Sequence, residues 1–378
     1  MQKRIKIVSF CIVLVILLIG IIIMNNNSNN KYSFTQDGIK YAITLDGEKA
    51  TSFPSKGMYK VQVTCDGAEG SWLYDEWSLS LENVTGDISC NINFSTITKT
   101  NLNDYIISLA GTTQGTGQVV NENGYRYEGK NPNNYIWFNN EYWRIIGVFD
   151  SASHGQANKN LVKIIRADVL DGLVLHKSNT NDWTVASLNL LLNGAYYNAQ
   201  DGTNSGYCYG YSTTQTANCD YTKKGIQSGY REMITNVTWY LGGYSSNSAT
   251  AESFYGYERG TTVYSGRPTS TTGYIGLMYP SDYGYSVLSS SCARTTNLNS
   301  YNNATCAGQS WLYGKGYEWT LTPNSSGSYS VFSLNYSGDL SSSSAYYGNG
   351  SRPVLYLDTS VYKIDGDGSM NSPYIIGM

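Results

Sequence analysis

Two carboxylates in the second half of the chain, Glu258 and Asp282, are the side chains best suited to catalysis. A pair of carboxylates that face one substrate could act as acid and nucleophile, or as acid and base, in glycoside hydrolysis. Their separation along the sequence does not show that they approach each other, and the neighbouring Arg259 and Arg267 are more simply explained as anchors of loop carbonyls and carboxylates. We therefore predict Glu258, Arg259 and Arg267 to be structural polar residues, and we predict no catalytic residue.

Metal-binding patterns are weak in this sequence. The only histidines are His154 and His176, and no C-x-x-C pair is present, so a zinc site is not predicted. The segment Asp365-Gly-Asp367-Gly-Ser369 is similar to the beginning of a calcium loop but lacks the later glutamate of an EF-hand. We interpret it as a glycine-rich turn and predict neither a metal nor a cofactor.

Tyrosine is the most unusual feature of the composition, with 35 residues against 8 Phe and 8 Trp. An aromatic face stacks on a sugar ring, while a phenol hydroxyl needs water or a polar partner. The segment YSGDLSSSSAYYGN at residues 336–349 combines such tyrosines with serine and asparagine. We predict an exposed ligand-binding surface that contains Tyr279, Asp282, Tyr283, Tyr285, Tyr346 and Tyr347.

The chain has 378 residues and a formal net charge of −3, which excludes a strongly basic surface for nucleic acid. Charged residues make up 14% of the chain, against roughly 25% in a typical soluble domain. The surface must therefore consist largely of uncharged polar groups and phenols. Binding loops share this composition, and so does a β-rich exported protein without a ligand, so composition alone does not separate the two.

An apolar run occupies residues 7–24, after three cations and before a polar Asn/Ser tract. Its length is about what a helix needs to cross a bilayer. The run has no A-x-A cleavage site, and Val8, Ser9 and Phe10 precede Cys11, whereas a lipoprotein signal would need small residues just before its cysteine. We predict a single-pass signal-anchor helix over residues 7–24, a cytoplasmic tail at residues 1–6, a polar spacer at residues 25–31 and an extracellular C-terminal ectodomain.

Six of the seven cysteines follow the apolar run and fall into three local pairs. Six cysteines allow many connectivities, so the pairing of neighbours is an inference from their spacing. Disulfides would agree with an oxidising location outside the cytoplasm. The predicted bridges are Cys65–Cys90, Cys208–Cys219 and Cys292–Cys306.

Hydrophobic periodicity divides the rest of the chain into three parts. Residues 32–95 alternate apolar and polar positions, which predicts a small antiparallel β-domain, and its Cys…Trp…Cys order favours an Ig-like sandwich. Residues 96–122 are predicted to be a linker with one brief helix and a flexible Gly/Thr/Gln stretch. Residues 123–378 contain strands, two helical patterns at about 184–193 and 225–241, a long loop-rich region and further strands, which predicts an α+β domain with long loops.

Five segments of the C-terminal part carry a resemblance to known proteins: GYRYEGKNPNNYIWFNNEYWRIIGVF, SLNLLLNGAYYN, YERGTTVYSGRPTSTTGYIGLMYPSDYGY, WLYGKGYEWTLTP and GNGSRPVLYLDTSVYKIDGDGSMNSPYII. With them, this part resembles the C-type-lectin-like fold in the variant of formylglycine-generating enzymes and, more closely, an uncharacterised lectin-like family on surface proteins of gut Firmicutes. The segments FPSKGMYKVQVTCDGAEGSW and NVTGDISCNINF of the small domain resemble a module that precedes such domains. The resemblance implies an Ig-like module followed by a C-type-lectin-like domain at the cell surface.

Together these features predict a membrane-anchored, adhesin-like binding protein of the cell surface. Its Tyr/Ser/Asn/Gly-rich loops would contact a glycan or a protein of a host or bacterial surface. One alternative is an enzyme that acts on the cell wall or cell surface through a carboxylate site. A second alternative is a structural envelope protein whose loops mediate self-association.

Overall fold

The computed structural model describes residues 5–7, 32–36, 39–48, 53–55, 59–74 and 76–378. The described residues up to Lys99 form one compact unit, and Thr100–Met378 form a second. The first unit contains β1 (Ile5–Ile7), β2 (Tyr32–Gln36), β3 (Ile39–Leu45), β4 (Tyr59–Asp66), β5 (Glu69–Leu73), β6 (Ser78–Glu82) and β7 (Ile88–Thr96).

The strands of the first unit form two sheets, in the orders β2-β3-β7-β4 and β1-β6-β5. Alternate residues of β7 are buried from Ile88 to Ile92, because successive side chains of a strand point to opposite faces. One hydrophobic core contains side chains of both sheets, namely Tyr41, Ile43, Leu45, Val61, Trp72, Leu79, Leu81, Ile88, Cys90 and Ile92.

The cysteine pair of this unit lies within one sheet. Cys65 of β4 is directly opposite Cys90 of β7, with their Cα atoms 4.1 Å apart. In an Ig-like sandwich the disulfide joins the two sheets. Here it joins adjacent strands of one sheet, so it fixes the register of β4 and β7.

The second unit contains eighteen strands, most of them short. They are β8 (Thr100–Asn101), β9 (Thr113–Gln114), β10 (Thr116–Asn121), β11 (Tyr125–Asn131), β12 (Tyr135–Phe138), β13 (Glu141–Phe149), β14 (Leu161–Arg166), β15 (Leu170–Val174), β16 (Val237–Tyr240), β17 (Ser270–Gly273), β18 (Ile275–Gly276), β19 (Glu318–Pro323), β20 (Ser330–Leu334), β21 (Leu340–Ser344), β22 (Gly348–Ser351), β23 (Val354–Leu357), β24 (Tyr362–Asp365) and β25 (Ile375–Gly377).

Its helices are short. The α-helices are α1 (Leu102–Ser108), α2 (Ser151–His154), α3 (Ser187–Leu191), α4 (Ser228–Arg231), α5 (Ala251–Glu258) and α6 (Pro280–Tyr285). Single turns of 3-10 helix occur at Trp183–Val185, Leu298–Ser300 and Ala307–Gln309, and a π-helical turn occurs at Leu192–Tyr196.

Two large sheets organise this unit. The first has the order β18-β23-β14-β13-β11-β10-β9, with β12 paired to β13, and the second has the order β15-β22-β19-β20-β21. Strand β23, near the end of the chain, pairs with β14 and β18. The first sheet therefore joins residues that are far apart in the sequence.

The predicted fold class is wrong. The described chain is mostly β-structure, and its longest α-helix, α5, has 8 residues. Within the described residues, no helix has the length and apolarity needed to span a bilayer. Ile7, the first residue of the predicted anchor, lies in β1 opposite Leu79, whereas residues 8–24 lie outside the described part. Isoleucine and valine also favour strands, so a long apolar run does not by itself identify a helix.

Two further predictions differ from the structure. The helical pattern at residues 225–241 is replaced by the single turn α4 and by strand β16, whose sequence VTWY is rich in strand-forming residues. Residues 100–122, expected to be part of a linker, form β8, α1, β9 and β10 and belong to the second unit.

Candidate functional site

A row of four residues crosses the first sheet of the second unit. Arg126 of β11 is opposite Gly147 of β13, Gly147 is opposite Lys163 of β14, and Lys163 is opposite Tyr356 of β23. Directly opposed residues of antiparallel strands project from the same face. The register therefore places two cations and a phenol on one face, and the glycine leaves the position between the two cations without a side chain.

Helix α6 brings Asp282 to this face. Its Oδ1 accepts a hydrogen bond from Arg126 Nη1 at 3.0 Å, and its Oδ2 accepts one from Lys163 Nζ at 2.5 Å. The backbone N–H of Tyr279 also donates to Oδ2, at 2.9 Å, so the same carboxylate caps the beginning of α6. All three charged side chains are buried. Burial is tolerated because the carboxylate pairs with two cations at once.

Helix α5 contributes a second ionic pair beside the first. Glu258 accepts hydrogen bonds from the backbone N–H and the hydroxyl of Ser281, at 2.9 and 2.5 Å. Arg259 Nη1 donates to Glu258 Oε2 at 3.1 Å, and its Cζ lies 3.5 Å from the centre of the Tyr255 ring. We call Arg126, Lys163, Glu258, Arg259 and Asp282 the charge cluster.

Burial and pairing shift the pKa values of the cluster in opposing directions. Burial lowers the pKa of Lys163 to about 8, although Asp282 opposes the change. Burial would raise the pKa of Asp282, but Lys163 and Arg126 together hold it below its ordinary value. Burial raises the pKa of Glu258 to about 7, against the opposing effects of Arg259 and Ser281. Asp282 is therefore firmly ionised, while Glu258 titrates near neutral pH.

A different set of side chains surrounds the second sheet, β15-β22-β19-β20-β21. Tyr317 immediately precedes β19, Tyr329 precedes β20, and Tyr347 precedes β22. Tyr336 lies in the turn between β20 and β21, and the carbonyl of Tyr211 accepts a hydrogen bond from the first N–H of β22. These five residues, the tyrosine rim, are exposed by 68% (Tyr211), 50% (Tyr317), 47% (Tyr329), 64% (Tyr336) and 52% (Tyr347).

Two ring contacts involve residues of the rim, one between two rim residues and one between Tyr347 and its neighbour Tyr346. The ring centres of Tyr317 and Tyr336 are 5.7 Å apart in an edge arrangement. Those of Tyr346 and Tyr347 are 4.3 Å apart, and the two phenol oxygens are joined by a hydrogen bond of 3.0 Å. The carbonyl of Tyr329 accepts a hydrogen bond from the N–H of Ala345, one residue before Tyr346. Tyr346 itself is half-buried.

The edge strand of this sheet has an unusual sequence. Strand β21 reads LSSSS, pairs with β20 and ends the strand order on that side. It contains neither a proline nor a charged residue such as lysine, both of which commonly protect an exposed edge. Its hydroxyl groups can donate and accept hydrogen bonds next to the tyrosine rim.

The predicted ligand-binding residues separate into two groups. Tyr279, Asp282, Tyr283 and Tyr285, expected on an exposed surface, are buried. The Tyr279 hydroxyl donates to the carbonyl of Tyr240, and the Tyr285 hydroxyl accepts from Asn123 Nδ2. These phenols are satisfied internally and pack around the charge cluster. Of the predicted tyrosines, Tyr346 and Tyr347 reach the surface.

The predicted polar residues also separate. Glu258 and Arg259 meet Asp282 in the charge cluster, as described above. Arg267 lies elsewhere, where its guanidinium donates to Asn181 Oδ1 and to the carbonyl of Ser328, at 3.2 Å each. Its role there is to hold two loops together.

The structure adds residues that the sequence did not indicate. Arg126, Lys163 and Tyr356 complete the charge cluster and its surroundings, and four tyrosines of the rim were not predicted. One sequence signal was available, because Lys163 interrupts the otherwise apolar strand LVKII, and a cation in a buried strand needs a partner. The partner could not be named from the sequence, since it depends on strand order.

The three predicted disulfides are confirmed: Cys65–Cys90, Cys208–Cys219 and Cys292–Cys306. Among the described residues, no group of three His, Cys, Asp or Glu side chains is placed to hold a metal ion.

Comparison with protein families, with curated proteins and with solved structures finds no match to this chain. The resemblance to C-type-lectin-like and Ig-like surface proteins therefore remains a prediction. The charge cluster and the tyrosine rim are therefore the basis for inferring a function.

Proposed function

We propose that this protein is a binding protein of an extracytoplasmic compartment and that its tyrosine rim binds an uncharged glycan. The observation that carries the proposal is that five exposed tyrosines lie beside the strands of one sheet. Tyrosine provides a rigid apolar face and a hydroxyl at low entropic cost, which is why it is frequent in binding surfaces.

The chemistry of the rim supports a sugar as the ligand. The rim tyrosines and the serines of β21 are uncharged at neutral pH and offer both ring faces and hydroxyl groups. A sugar ring has apolar C–H faces that pack on aromatic rings and hydroxyl groups that need polar partners. A neutral surface of this kind suits a neutral glycan better than an anionic one.

The disulfides support the proposed compartment. All six cysteines of the described chain are bridged in local pairs. Structural disulfides persist in oxidising environments and are rare in the cytosol. The proposal therefore places the protein outside the cytoplasm and makes no claim about how it is held there.

The environments of Asp282 and Glu258 do not support a catalytic role for the charge cluster. Asp282 accepts hydrogen bonds from Arg126, Lys163 and the Tyr279 N–H, and Glu258 accepts from Ser281 and Arg259. Both side chains are buried, whereas a glycosidase needs its two carboxylates beside a substrate. These contacts are those of a structural network.

The proposal is tested with an array of glycans and proteins probed with the full, disulfide-bonded chain. We expect binding to a group of neutral glycans and loss of the signal when the corresponding free sugar is added in excess. Binding to protein spots alone, or to no spot at all, would contradict a glycan-binding rim.

A further inference from the structure

The most exposed residue of the tyrosine rim, Tyr211, lies in a loop that a disulfide closes. Its side chain is 68% exposed, and the bridge Cys208–Cys219 joins the two ends of the surrounding segment. Both cysteines are buried in the hydrophobic core of the second unit. The loop is therefore fixed at its base, although Tyr211 itself reaches the surface.

The backbone of this loop is also held by two strands of the second sheet. Val174 of β15 donates its N–H to the carbonyl of Tyr209 at 3.0 Å, and Gly348 of β22 donates its N–H to the carbonyl of Tyr211 at 3.2 Å. Val174 and Gly348 are directly opposite each other in the sheet. The loop is thus bonded to both members of one residue pair, which fixes the position of the Tyr211 backbone.

Glycine permits the close approach of the loop to β22. A Cβ atom added to Gly348 would lie 2.5 Å from Tyr211 Cα and 2.6 Å from the carbonyl oxygen of Gly210. Real Cβ atoms do not approach other heavy atoms so closely. Because these neighbours are backbone atoms, which cannot rotate away, the contact requires glycine at this position.

A second glycine lies against the ring of Tyr211. A Cβ atom added to Gly172 of β15 would lie 2.6 Å from Cε1 and 3.1 Å from both Cδ1 and Cζ of Tyr211. An atom in the ring plane beyond Cε1 would be much farther from the two flanking carbons than from Cε1 itself. The similar distances therefore place Gly172 against one face of the ring.

The opposite face of the ring is open. With one face against Gly172, a side chain that is still 68% exposed presents its other face to solvent. An ordinary exposed side chain loses rotamer freedom when a ligand immobilises it, and this loss weakens binding. A ring that the protein already holds in place avoids most of that cost.

We propose that Tyr211 is a preset stacking platform of the tyrosine rim, on whose open face a pyranose ring of the neutral glycan packs, and that Gly172 positions this platform. The inference rests on the proposed function and assigns one sugar subsite to it. A pyranose ring presents apolar C–H groups that pack on an aromatic face. Gly172 lies behind the ring, so it acts on the sugar only through Tyr211.

The platform is tested by isothermal titration of the full, disulfide-bonded chain with the neutral oligosaccharide that binds best on the glycan array. Tyr211→Leu should weaken binding about 3- to 10-fold, whereas Tyr211→Phe, which keeps the ring, should bind within about twofold of the wild-type chain. Equal affinities of Tyr211→Leu and the wild-type chain would overturn the inference and leave the glycan-binding rim intact. Absence of glycan binding by the wild-type chain would contradict the proposed function, and the platform with it.

A double-mutant cycle tests the role of Gly172. Gly172→Ala should push the ring of Tyr211 into solvent and weaken binding about threefold in the wild-type chain, but it should have no effect in Tyr211→Leu. The matched control is Gly229→Ala, at an exposed position where an added Cβ meets no atom within 4 Å, and it should leave binding unchanged. An equal loss from Gly172→Ala in both backgrounds would show that Gly172 does not act through the ring.

Fluorine NMR tests the fixed orientation of the ring without any glycan. When trifluoromethyl-phenylalanine replaces Tyr211, its fluorine signal should differ in chemical shift from that of the urea-unfolded chain. Gly172→Ala should move the signal towards the unfolded value, and Gly229→Ala should not. A signal at the unfolded value in the otherwise unchanged chain would overturn the preset platform, whatever the glycan titrations show.

Discussion

The charge cluster and the tyrosine rim invert the usual distribution of polar groups. In the charge cluster, ionised side chains from β11, β14, α5 and α6 lie in the interior. In the rim, phenols that could have filled a core are about half exposed or more. Charged groups here bind one another in the interior of the second unit, whereas uncharged aromatic groups lie at its surface. Under the proposed function, the first region provides stability and the second provides binding.

One contact connects the two regions. The hydroxyl of Tyr283, in helix α6 beside Asp282, donates to the carbonyl of Gly338. Gly338 belongs to the turn that carries Tyr336, and it adopts a φ of +93° that favours glycine. The buried helix therefore positions one tyrosine of the rim. Variants can test whether the two regions have the separate roles that we assign to them.

The largest expected effect follows from Asp282→Ala. Removing this carboxylate leaves Arg126 and Lys163 buried without their anion, and breaking a buried pair in this way costs about 3–5 kcal/mol. We expect the free energy of unfolding, measured by urea denaturation, to fall by that amount. The control is Asp104→Ala, which removes an exposed aspartate of α1. A loss below about 1 kcal/mol for Asp282→Ala would show that the cluster does not stabilise the second unit.

Glu258 is expected to make the stability depend on pH. Burial raises the pKa of its carboxyl to about 7 in the folded chain, against about 4.3 when unfolded. Between these values the folded state binds more protons than the unfolded state, so the contribution of Glu258 to the free energy of unfolding decreases as pH rises.

The measurement is urea denaturation across that pH range for the wild-type chain and for Glu258→Gln. In Glu258→Gln, the free energy of unfolding should decrease less steeply as pH rises, by at most about 1.4 kcal/mol per pH unit. Glu252→Gln changes an exposed position on the same helix and should show the same decrease as the wild-type chain. If both variants retain the wild-type slope, Glu258 is ionised throughout the range and the assigned pKa is wrong.

A smaller effect on the free energy of unfolding is expected when the hydroxyl is removed from a buried tyrosine or from an exposed one. Tyr283→Phe removes the donor to the Gly338 carbonyl and should lower the free energy of unfolding by roughly 1 kcal/mol. Tyr336→Phe removes a hydroxyl from an exposed side chain and should change it by less than about 0.5 kcal/mol. Denaturation of the two variants side by side measures the difference. Equal losses would mean that exposure does not separate the two kinds of tyrosine.

Some of this organisation could be predicted from the sequence. The cysteine pairs were predictable because the members of each pair are close along the chain and lie in segments bounded by turns. Glu258 and Arg259 were predicted to be structural polar residues, and the structure shows them paired with each other, with Ser281 as a further donor to Glu258.

The rest depends on contacts that are distant in the sequence. The row Arg126–Gly147–Lys163–Tyr356 exists because β23 pairs with β14 and β13 lies between β14 and β11. Tyrosine has an apolar ring and a polar hydroxyl and is found both in cores and on surfaces. The high tyrosine content of the chain therefore could not show that Tyr283 is buried and Tyr336 exposed. The apolar run at residues 7–24 predicted a helix from length alone, although its β-branched residues also suit strands.

The proposed role of the rim is tested most directly by the double variant Tyr336→Ser/Tyr347→Ser, with Tyr264→Ser as the matched control. Tyr264 is also exposed but does not belong to the rim. Binding on the glycan array and the free energy of unfolding are measured on the same samples. We predict that the double variant loses its glycan signal at nearly unchanged stability, while Tyr264→Ser retains the signal. Full glycan binding by the stable double variant would contradict the assignment of binding to the tyrosine rim.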